Sequence, residues 1–270
     1  MNLTKAKYSG FCFGVKNALD TVNNLKGDNI YILGELIHNP QVIGKLKEKG
    51  IKILENINEV DKGTIVISAH GMPDSVIKQC EGLNVIDATC PLVKKVHDIS
   101  KELEKEGFTT LIFGDKNHQE VKGTAGNLKD CLIVSSIEEL KTLDLNKKIG
   151  IVSQTTQEVE KFNQIVDYVK DKAKETKVHN TICSATRLRQ EAAAELAKKV
   201  NLVVVIGGYN SANTVKLKDI CSRITDTKHI ESADELKEEW FKDKENIGIT
   251  AGASTPEWVI EEVVNKISSF

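Results

Sequence analysis

Three cysteines in this 270-residue chain share one local context, and that context favours chemistry. Cys12, Cys90 and Cys183 come directly before segments with a helical pattern, which begin FGVKNALD, PLVKKVHD and SATRLRQE. The start of a helix favours an anion, so a thiol there is readily held as the thiolate that binds metals or attacks electrophiles. A lone cysteine is more often a small buried residue. Because the context occurs three times, we interpret these cysteines as functional.

The same three residues fit an iron–sulfur cluster better than a zinc site. Zinc ligands usually come in closely spaced pairs, and the sequence has no C-x-x-C pair. Three thiolates on a [4Fe-4S] cluster would leave one iron open to a substrate oxygen. Spacing alone still leaves a nucleophile, a metal ligand or a buried residue as alternatives. The other cysteines, Cys80, Cys131 and Cys221, lie at positions that do not repeat, and we predict that they are structural.

A second group of candidates lies in the turns that follow predicted strands. One set of turns follows IYIL, TTLIF and LVVVI, and the other follows TIVIS, KIGIVS and NIGITA. Taken singly, serine, threonine and glutamate in such turns look like helix caps. Together they offer hydrogen-bond donors for an anion, and one carboxyl that becomes a proton donor if burial raises its pKa. The candidates are His38, His118, Glu120, Ser211 and Asn213 in the first set, and His70, Thr155 and Ser254 in the second.

The elements that must position these residues alternate between strand and helix. This alternation predicts an α/β fold with mostly parallel sheets. The cysteine context and its two polar turns recur about every 80 to 90 residues, which predicts three similar small units. We place them at residues 1–89, with Cys12 in the N-terminal segment, 90–180 and 181–270. Ligands bind beyond the carboxyl ends of parallel strands, so we expect the turns and cysteines to face a pseudo-threefold centre.

Composition narrows the classes of partner. The formal net charge of −2 argues against a dedicated nucleic-acid binder. No apolar run has the length of a signal-peptide core or a membrane span, so we expect no membrane partner and a cytoplasmic location with reduced thiols. The chain has three arginines, Arg187, Arg189 and Arg223. We therefore do not expect an anion to be bound by a bidentate arginine clamp. Nothing in the pattern suggests a coiled coil, and we predict a monomer.

A series of motifs then identifies a family. GFCFGVKNAL, IHNPQV, SAHG, DATCPLV, NHQEVKGTAG, SQTT, TICSATRLRQ, NSANT and GAST occur in this order between residues 10 and 255. Together they closely resemble the 4-hydroxy-3-methylbut-2-enyl diphosphate reductases of the methylerythritol phosphate route to isoprenoids. The resemblance covers nearly the whole chain. It implies reduction of an allylic alcohol diphosphate to isopentenyl and dimethylallyl diphosphate with loss of water, a [4Fe-4S] cluster among three α/β domains, and a ferredoxin- or flavodoxin-type electron donor.

The resemblance also implies roles for individual residues. Cys12, Cys90 and Cys183 match the cluster ligands. Glu120 matches the acid that protonates the leaving hydroxyl, and Thr155, rather than Thr156, matches the hydroxyl beside the substrate alcohol. His118 matches a further histidine at the reacting end. The implied substrate contacts are His38, His70, His118, Thr155, Ser211, Ala212, Asn213 and Ser254.

One departure from the family pattern is visible. Many members have two consecutive serines where this chain has Ser211 followed by Ala212. The alanine removes one hydroxyl donor and leaves only a backbone amide for the diphosphate.

Several readings stay open at this point. An iron–sulfur hydro-lyase would use the same open iron without net electron transfer, and a non-catalytic iron–sulfur redox protein would use none of the substrate donors. A zinc hydrolase is a more distant alternative. The remaining histidines, His97, His179 and His229, do not fall in the repeated turns, and we predict that they are structural or surface groups.

Overall fold

The computed structural model describes residues 1–270, apart from the side chain of residue 59. Strands and helices alternate along the chain, as the sequence predicts. The strands are β1 Asn2–Lys5, β2 Ile30–Leu33, β3 Lys52–Leu54, β4 Thr64–Ile67, β5 Asn84–Asp87, β6 Thr109–Phe113, β7 Cys131–Val134, β8 Lys148–Ser153, β9 Glu175–Val178, β10 Leu202–Ile206, β11 Asp226–Ile230 and β12 Asn246–Ala251. The helices are α1 Phe13–Asn23, α2 Pro40–Glu48, α3 Asp74–Lys78, α4 Pro91–Lys105, α5 Gln119–Ala125, α6 Ile137–Leu140, α7 Val159–Lys170, α8 Ser184–Ala197, α9 Ala212–Ser222 and α10 Glu257–Ser268.

The strands form three four-stranded sheets with one shared topology. Their orders are β3-β2-β4-β5, β7-β6-β8-β9 and, read in the same direction, β11-β10-β12-β1. Every strand pair is parallel. The predicted α/β class with three similar units is therefore confirmed. Their arrangement about a pseudo-threefold centre stays a prediction.

Strand β1 completes the sheet of the C-terminal third. Asn2 pairs with Asn246 and Lys5 pairs with Ile249, so the first residues of the chain lie beside some of the last. This strand takes the place that β5 and β9 take in the other two sheets. Residues 2–5 thus share a sheet with residues of the predicted third unit, 181–270, although the predicted first unit, 1–89, contains them.

The chain divides into two compact units. The first, which we call the terminal unit, contains Met1–Lys16, Ile37–Lys45 and Ser184–Phe270, and the second, the middle unit, contains Asn17–Leu36 and Leu46–Cys183. The terminal unit holds the sheet with β10 and β12, and the middle unit holds the other two. The predicted unit limits at residues 89 and 180 stay predictions.

The sheets owe their stability to apolar strands buried on both faces. All five residues of β10 are buried, and the side chains of β4 and β8 are nearly as inaccessible. Such continuous Val and Ile runs are typical of parallel sheets covered by helices on both sides. The edge strands are more exposed and less regular in pattern than the central strands. Five of them, β1, β3, β7, β9 and β11, have short, mixed sequences that gave no strand prediction.

Glycines in two central strands bring the helices close. A Cβ on Gly150 would lie 2.6 Å from Leu103 of α4, and one on Gly248 would lie 2.9 Å from Leu196 of α8. Both helices begin just after a repeated cysteine. The glycines thus seat each of these helices directly on a sheet. No helix in the described part of the chain is long and apolar enough to cross a membrane.

Candidate active site

The three repeated cysteines occupy equivalent places in the fold. Each one follows the fourth strand of a sheet and stands at the start of a helix: β1 and α1, β5 and α4, or β9 and α8. All three side chains are half-buried. Each backbone N–H donates a hydrogen bond to a carbonyl of the turn that follows the neighbouring third strand. The pairs are Cys12 to Ala253 at 3.1 Å, Cys90 to Ala69 at 3.0 Å and Cys183 to Thr155 at 3.0 Å.

These hydrogen bonds couple each cysteine to a candidate substrate donor. Ala253 comes directly before Ser254, Ala69 comes directly before His70, and Thr155 is itself a candidate. Ser254 and Cys12 lie in the terminal unit, and the other two pairs lie in the middle unit. Within its own unit, each cysteine is therefore held next to one donor by the main chain.

The donor chemistry at these positions fits an iron–sulfur cluster. The Val15 N–H lies 3.5 Å from Cys12 Sγ, so the sulfur accepts at the first turn of α1 where a capping oxygen usually does. Cys90 is the N-cap of α4, with Pro91 at the first helical position. Among the described residues, no group of three or more His, Cys, Asp or Glu side chains is already assembled as a metal site. A shared site for the three cysteines stays a prediction.

The other three cysteines have a different environment. Cys80 and Cys221 are fully buried in apolar clusters. Burial raises the pKa of Cys80, and it raises the pKa of Cys221 to about 12. Burial also raises the pKa of Cys131, and the nearby Asp130 and Glu104 add to this effect. Thiols that resist ionisation are poor metal ligands, which supports their predicted structural role.

Glu120 and Thr155 form a buried pair in the middle unit. Glu120 lies at the start of α5 and is 3% exposed. The Thr155 N–H donates to Glu120 Oε1 at 2.6 Å, and the Thr155 hydroxyl donates to Oε2 at 2.9 Å. Two turns from neighbouring strands are thereby joined through one carboxyl group. Sequence analysis predicts both residues at the reacting end of the substrate, and the structure brings them together.

The protonation of Glu120 suits a proton donor at neutral pH. Burial raises the pKa of Glu120 from 4.5 to about 7, while the two hydrogen bonds from Thr155 lower it by a smaller amount. A general acid works best when its pKa is near the working pH, because it is then protonated and also able to release its proton. The neighbouring Thr156 serves the turn instead, since its hydroxyl accepts from Gln154 Nε2 at 2.9 Å.

His70 and His118 lie near this pair. Their ring centroids are 5.5 Å apart in an edge-to-face arrangement. His118 is the N-cap of α5, and its Nδ1 accepts the Glu120 N–H at 3.2 Å. A ring that accepts at Nδ1 carries its proton on Nε2 when neutral, so His118 presents an N–H donor away from the helix. Four predicted site residues are therefore grouped in the middle unit.

Gln154 is a residue of this site that sequence analysis missed. It is almost completely buried, and its side-chain Oε1 accepts the Asp115 N–H at 3.0 Å. Its own N–H donates to Phe113 O at 2.9 Å, so it binds the end of β6 through main chain and side chain. Gln154 thus joins the turn of Thr155 to the turn of His118. The SQTT motif contains it, but only the contacts with β6 show its role.

A donor-rich turn opens α9 in the terminal unit. Ser211 is the N-cap, with its hydroxyl accepting the Thr214 N–H at 3.4 Å. Asn213 is 4% exposed, and neither its amide oxygen nor its amide nitrogen has a hydrogen-bond partner in the described part of the structure. Buried amides are normally paired, so these two atoms could pair with a bound ligand. Ala212 lies between Ser211 and Asn213 and is half-buried.

Ser254 and His38 come together in the same unit. The Ser254 hydroxyl donates to the His38 carbonyl at 2.9 Å. His38 directly precedes Asn39, whose Oδ1 accepts the Val42 N–H at 3.0 Å and so caps α2. Gly208 also lies against this segment, because a Cβ there would be 2.8 Å from the His38 carbonyl oxygen. The glycine allows the turn before Ser211 to approach His38.

Arg189 is a second residue whose role the sequence did not reveal. It is buried in α8, and its Nε and Nη2 donate to the Gly10 carbonyl at 3.2 and 2.7 Å. Its Nη1 donates to Ala185 O at 2.9 Å. Gly10 has a φ of +75° and lies two residues before Cys12. Arg189 therefore fixes the approach of the chain to Cys12 by binding the Gly10 carbonyl.

Comparison with known proteins agrees with this geometry. The family model described as LytB protein matches residues 3–268. The 4-hydroxy-3-methylbut-2-enyl diphosphate reductase of Caldanaerobacter subterraneus subsp. tengcongensis is 46% identical over 281 residues, covering 100% of this chain and 98% of that protein.

Two solved structures are also similar. The structure of (E)-4-hydroxy-3-methyl-but-2-enyl diphosphate reductase, the terminal enzyme of the non-mevalonate pathway, is 40% identical with a TM-score of 0.71, covering 100% of this chain and 99% of that one. The E-1-hydroxy-2-methyl-but-2-enyl-4-diphosphate reductase from Plasmodium falciparum is 33% identical with a TM-score of 0.93. The match covers 98% of this chain and 87% of the Plasmodium falciparum chain.

Proposed function

This chain belongs to the LytB protein family, and from that membership we propose that it reduces (E)-4-hydroxy-3-methylbut-2-enyl diphosphate to isopentenyl and dimethylallyl diphosphate. The reaction consumes two electrons and two protons, breaks the allylic carbon–oxygen bond and releases water. The observation that best supports it is the buried Glu120–Thr155 pair, because the reaction needs an acid that is protonated near neutral pH.

Cys12, Cys90 and Cys183 would hold a [4Fe-4S] cluster. Their equivalent positions at helix starts and their half-buried side chains support this assignment. Such a cluster would supply a Lewis-acidic iron for the alcohol end of the substrate and a route for single electrons. The other chemistry falls to the protein side chains.

The side chains of the middle unit handle the alcohol end of the substrate. Thr155 would hydrogen-bond the substrate hydroxyl and keep Glu120 aligned with it, as the 2.9 Å contact between their side chains allows. Glu120 would then give its proton to the departing oxygen, so that water leaves rather than hydroxide. His118 and His70 present ring donors nearby.

The side chains of the terminal unit suit the diphosphate. Asn213 offers an unpaired buried amide, and Ser211 offers a hydroxyl that only accepts in its capping bond, both as neutral donors. Ser254 would join them by turning its hydroxyl from the His38 carbonyl to the diphosphate. His38 completes this set, and Ala212 would contribute its backbone N–H. Neutral donors bind a diphosphate without an arginine clamp, and Arg189 is already engaged by the Gly10 carbonyl.

The test is a reductase assay on anaerobically reconstituted protein. Iron and sulfide are supplied, bound iron is counted, and a chemically reduced dye is mixed with the allylic diphosphate. We expect substrate-dependent oxidation of the dye and formation of both products. Failure of cluster-loaded protein to consume the substrate would favour a non-catalytic redox protein. Consumption without any reductant would favour the hydro-lyase and contradict our proposal.

The cluster ligands can be tested separately with a matched pair of variants. Cys90→Ser should lose the brown absorption of the cluster and most of its iron. Cys131→Ser is the control, because Cys131 is also half-buried but lies in strand β7 away from the repeated position. Equal iron content in the two variants would refute the assignment of Cys90.

The location and partners follow from the same chemistry. We propose a cytoplasmic location, because thiols stay reduced in the cytoplasm. We also propose that the protein is a monomer. Its electron donor would be a small one-electron carrier of the ferredoxin or flavodoxin type, since each electron passes singly through a cluster.

A further inference from the structure

His97 lies in the interior of the middle unit, although sequence analysis treated it as a bystander. It belongs to α4, two turns after Cys90, and is 8% exposed. Its helix face also carries Val93, Val96 and Ser100, all buried. A polar ring on this apolar face needs a physical reason.

The imidazole ring fills the junction of three segments. A Cβ on Gly71 would lie 2.9 Å from His97 Cε1, and a Cβ on Gly123 would lie 3.5 Å from His97 Nε2 and 3.2 Å from the Gly71 carbonyl oxygen. Gly71 directly follows His70 and has a φ of +73°. Gly123 belongs to α5, the helix that begins after His118. A methyl group on Gly71 would therefore clash with the ring, and one on Gly123 would lie tightly against the Gly71 carbonyl oxygen.

Asn127 extends this junction by hydrogen bonds. Its amide nitrogen donates to the Gly123 carbonyl at 3.0 Å and lies 3.4 Å from His97 Nδ1. Its amide oxygen accepts the Asp74 N–H at 2.7 Å, at the start of α3. One side chain thus connects α4, the end of α5 and the segment that follows His70.

The surroundings of His97 favour its neutral form. Burial lowers the pKa of His97 and is the largest effect. Lys101 lowers it further, while Asp74, Asp98 and Asp87 oppose the change. Nε2 is buried and has no hydrogen-bond partner among the described residues. An unpaired buried nitrogen lowers stability, so stability alone does not explain a histidine at this position. The ring is better explained by the position that it enforces.

We propose that His97 is a positioning residue that sets the distance between helix α5 and the Gly71 turn. Helix α5 carries Glu120 and begins after His118, and the turn carries His70. Fixing that distance fixes the acid relative to the two histidines. The activity arm of the test rests on the proposed reductase function, whereas the spectroscopic arm does not.

The main test compares His97→Ala with Ser100→Ala. Ser100 is buried on the same face of α4, one turn later, and is absent from the junction. Loss of the imidazole should let α5 shift and admit water to Glu120. We expect kcat to fall about tenfold, a cost typical of a small misplacement of a catalytic group. Ser100→Ala should keep the wild-type kcat.

The discriminating readout is the pKa of Glu120. Its carboxyl band in the infrared spectrum is assigned by difference from Glu120→Gln and titrated in each variant. Hydration should lower the pKa of Glu120 in His97→Ala by about 1 unit, because burial is what raises it. Simple loss of stability would leave that titration unchanged. Identical titrations in His97→Ala and Ser100→Ala would overturn the proposal.

A milder variant covers the case in which His97→Ala does not fold. Asn127→Ala removes the amide link but keeps the ring, so it should shift the Glu120 titration in the same direction by a smaller amount. An unshifted titration in Asn127→Ala, with no folded His97→Ala, would also overturn the proposal. If the wild-type protein were inactive but His97→Ala still lowered the pKa of Glu120, the reductase function would be refuted and the positioning role supported.

Discussion

The acid site of the middle unit and the donor-rich turn of the terminal unit are built from equivalent turns, yet they differ in how their polar atoms are satisfied. Both carboxyl oxygens of Glu120 accept hydrogen bonds from Thr155. Both amide atoms of Asn213 are buried and have no partner in the described structure. The acid is hydrogen-bonded within the protein, whereas the amide has donor and acceptor capacity left over. A preorganised site promotes a chemical step, and an unsatisfied site gains from binding.

Substitutions in the two regions should therefore affect different kinetic parameters. Changes at the acid site should lower kcat and leave the apparent affinity nearly intact. Changes at the donor-rich turn should raise KM and alter the response to anions. The same contrast can be tested in the stability of the protein as well as in its activity.

The largest effect is expected at Glu120. Glu120→Gln keeps the shape of the side chain but removes its acidic proton, and kcat should fall about 100- to 10,000-fold. Iron content and KM should remain near those of the wild type. The matched control is Glu158→Gln, a buried glutamate of the same unit whose carboxylate pairs with Lys161 at 2.7 Å. Equal rates in the two variants would remove the contrast between the regions.

The next effect concerns stability against pH. Burial raises the pKa of Glu120 to about 7, so the folded state favours the neutral acid. Its contribution to stability is fully present below pH 4.5 and is lost as the pH rises through 7. Relative to Glu120→Gln, the free energy of unfolding of the wild type should fall by about 3 kcal/mol between pH 4 and pH 8. Parallel curves for the two proteins in urea titrations would contradict the buried acid.

A smaller effect is expected at Asn213. Asn213→Ala removes the unpaired amide and should raise KM about tenfold, equivalent to about 1.4 kcal/mol. Asn213→Asp has the same shape but adds a negative charge, so its KM should rise further while kcat changes little. Binding of inorganic pyrophosphate, followed as an increase in Tm, should weaken in the same order. If alanine and aspartate reduced Tm equally without changing KM, the amide would be structural only.

The smallest effect is expected at Ser254. Its hydroxyl donates to the His38 carbonyl, so Ser254→Ala should lower the free energy of unfolding by about 1 kcal/mol and raise KM a few-fold. The control is Ser269→Ala, which removes an exposed hydroxyl that donates to Lys266 O at 2.7 Å. A change in kcat without a change in KM would place Ser254 with the acid site.

The sequence predicted the parts of this molecule that local patterns determine. The amphipathic pattern of the sequence predicts helices over 13–25, 40–49, 92–106, 157–174, 185–200 and 256–268, and the structure has a helix within a few residues of each of these limits. Cys90 before a proline and a helical pattern is a local signal, and so is a glycine or serine after an apolar strand. The predicted positions of the cysteines and of the polar turns depended on signals of this kind.

The parts that were missed depend on contacts distant in sequence. Arg189 binds a carbonyl 179 positions earlier in the chain, and nothing around it shows that partner. His97 lacks the repeated context of the other histidines, and only its packing against Gly71 and Gly123 reveals a role. The pairing of β1 with β12 was missed for the same reason, because the sequence of a short exposed strand does not show which strand it pairs with.

The hydrogen bonds of the three repeated cysteines have a consequence for folding during synthesis. Cys90 and Cys183 bond to carbonyls that precede them, so the ribosome has already delivered those partners when each cysteine emerges. Cys12 is made early, but its partner Ala253 is made much later than the partners of the other two cysteines. If folding follows synthesis from the N-terminus, the hydrogen bond of Cys12 forms only after residue 253 has been made. The main-chain hydrogen bonds of the three cysteines should therefore form in the order Cys90, Cys183 and Cys12.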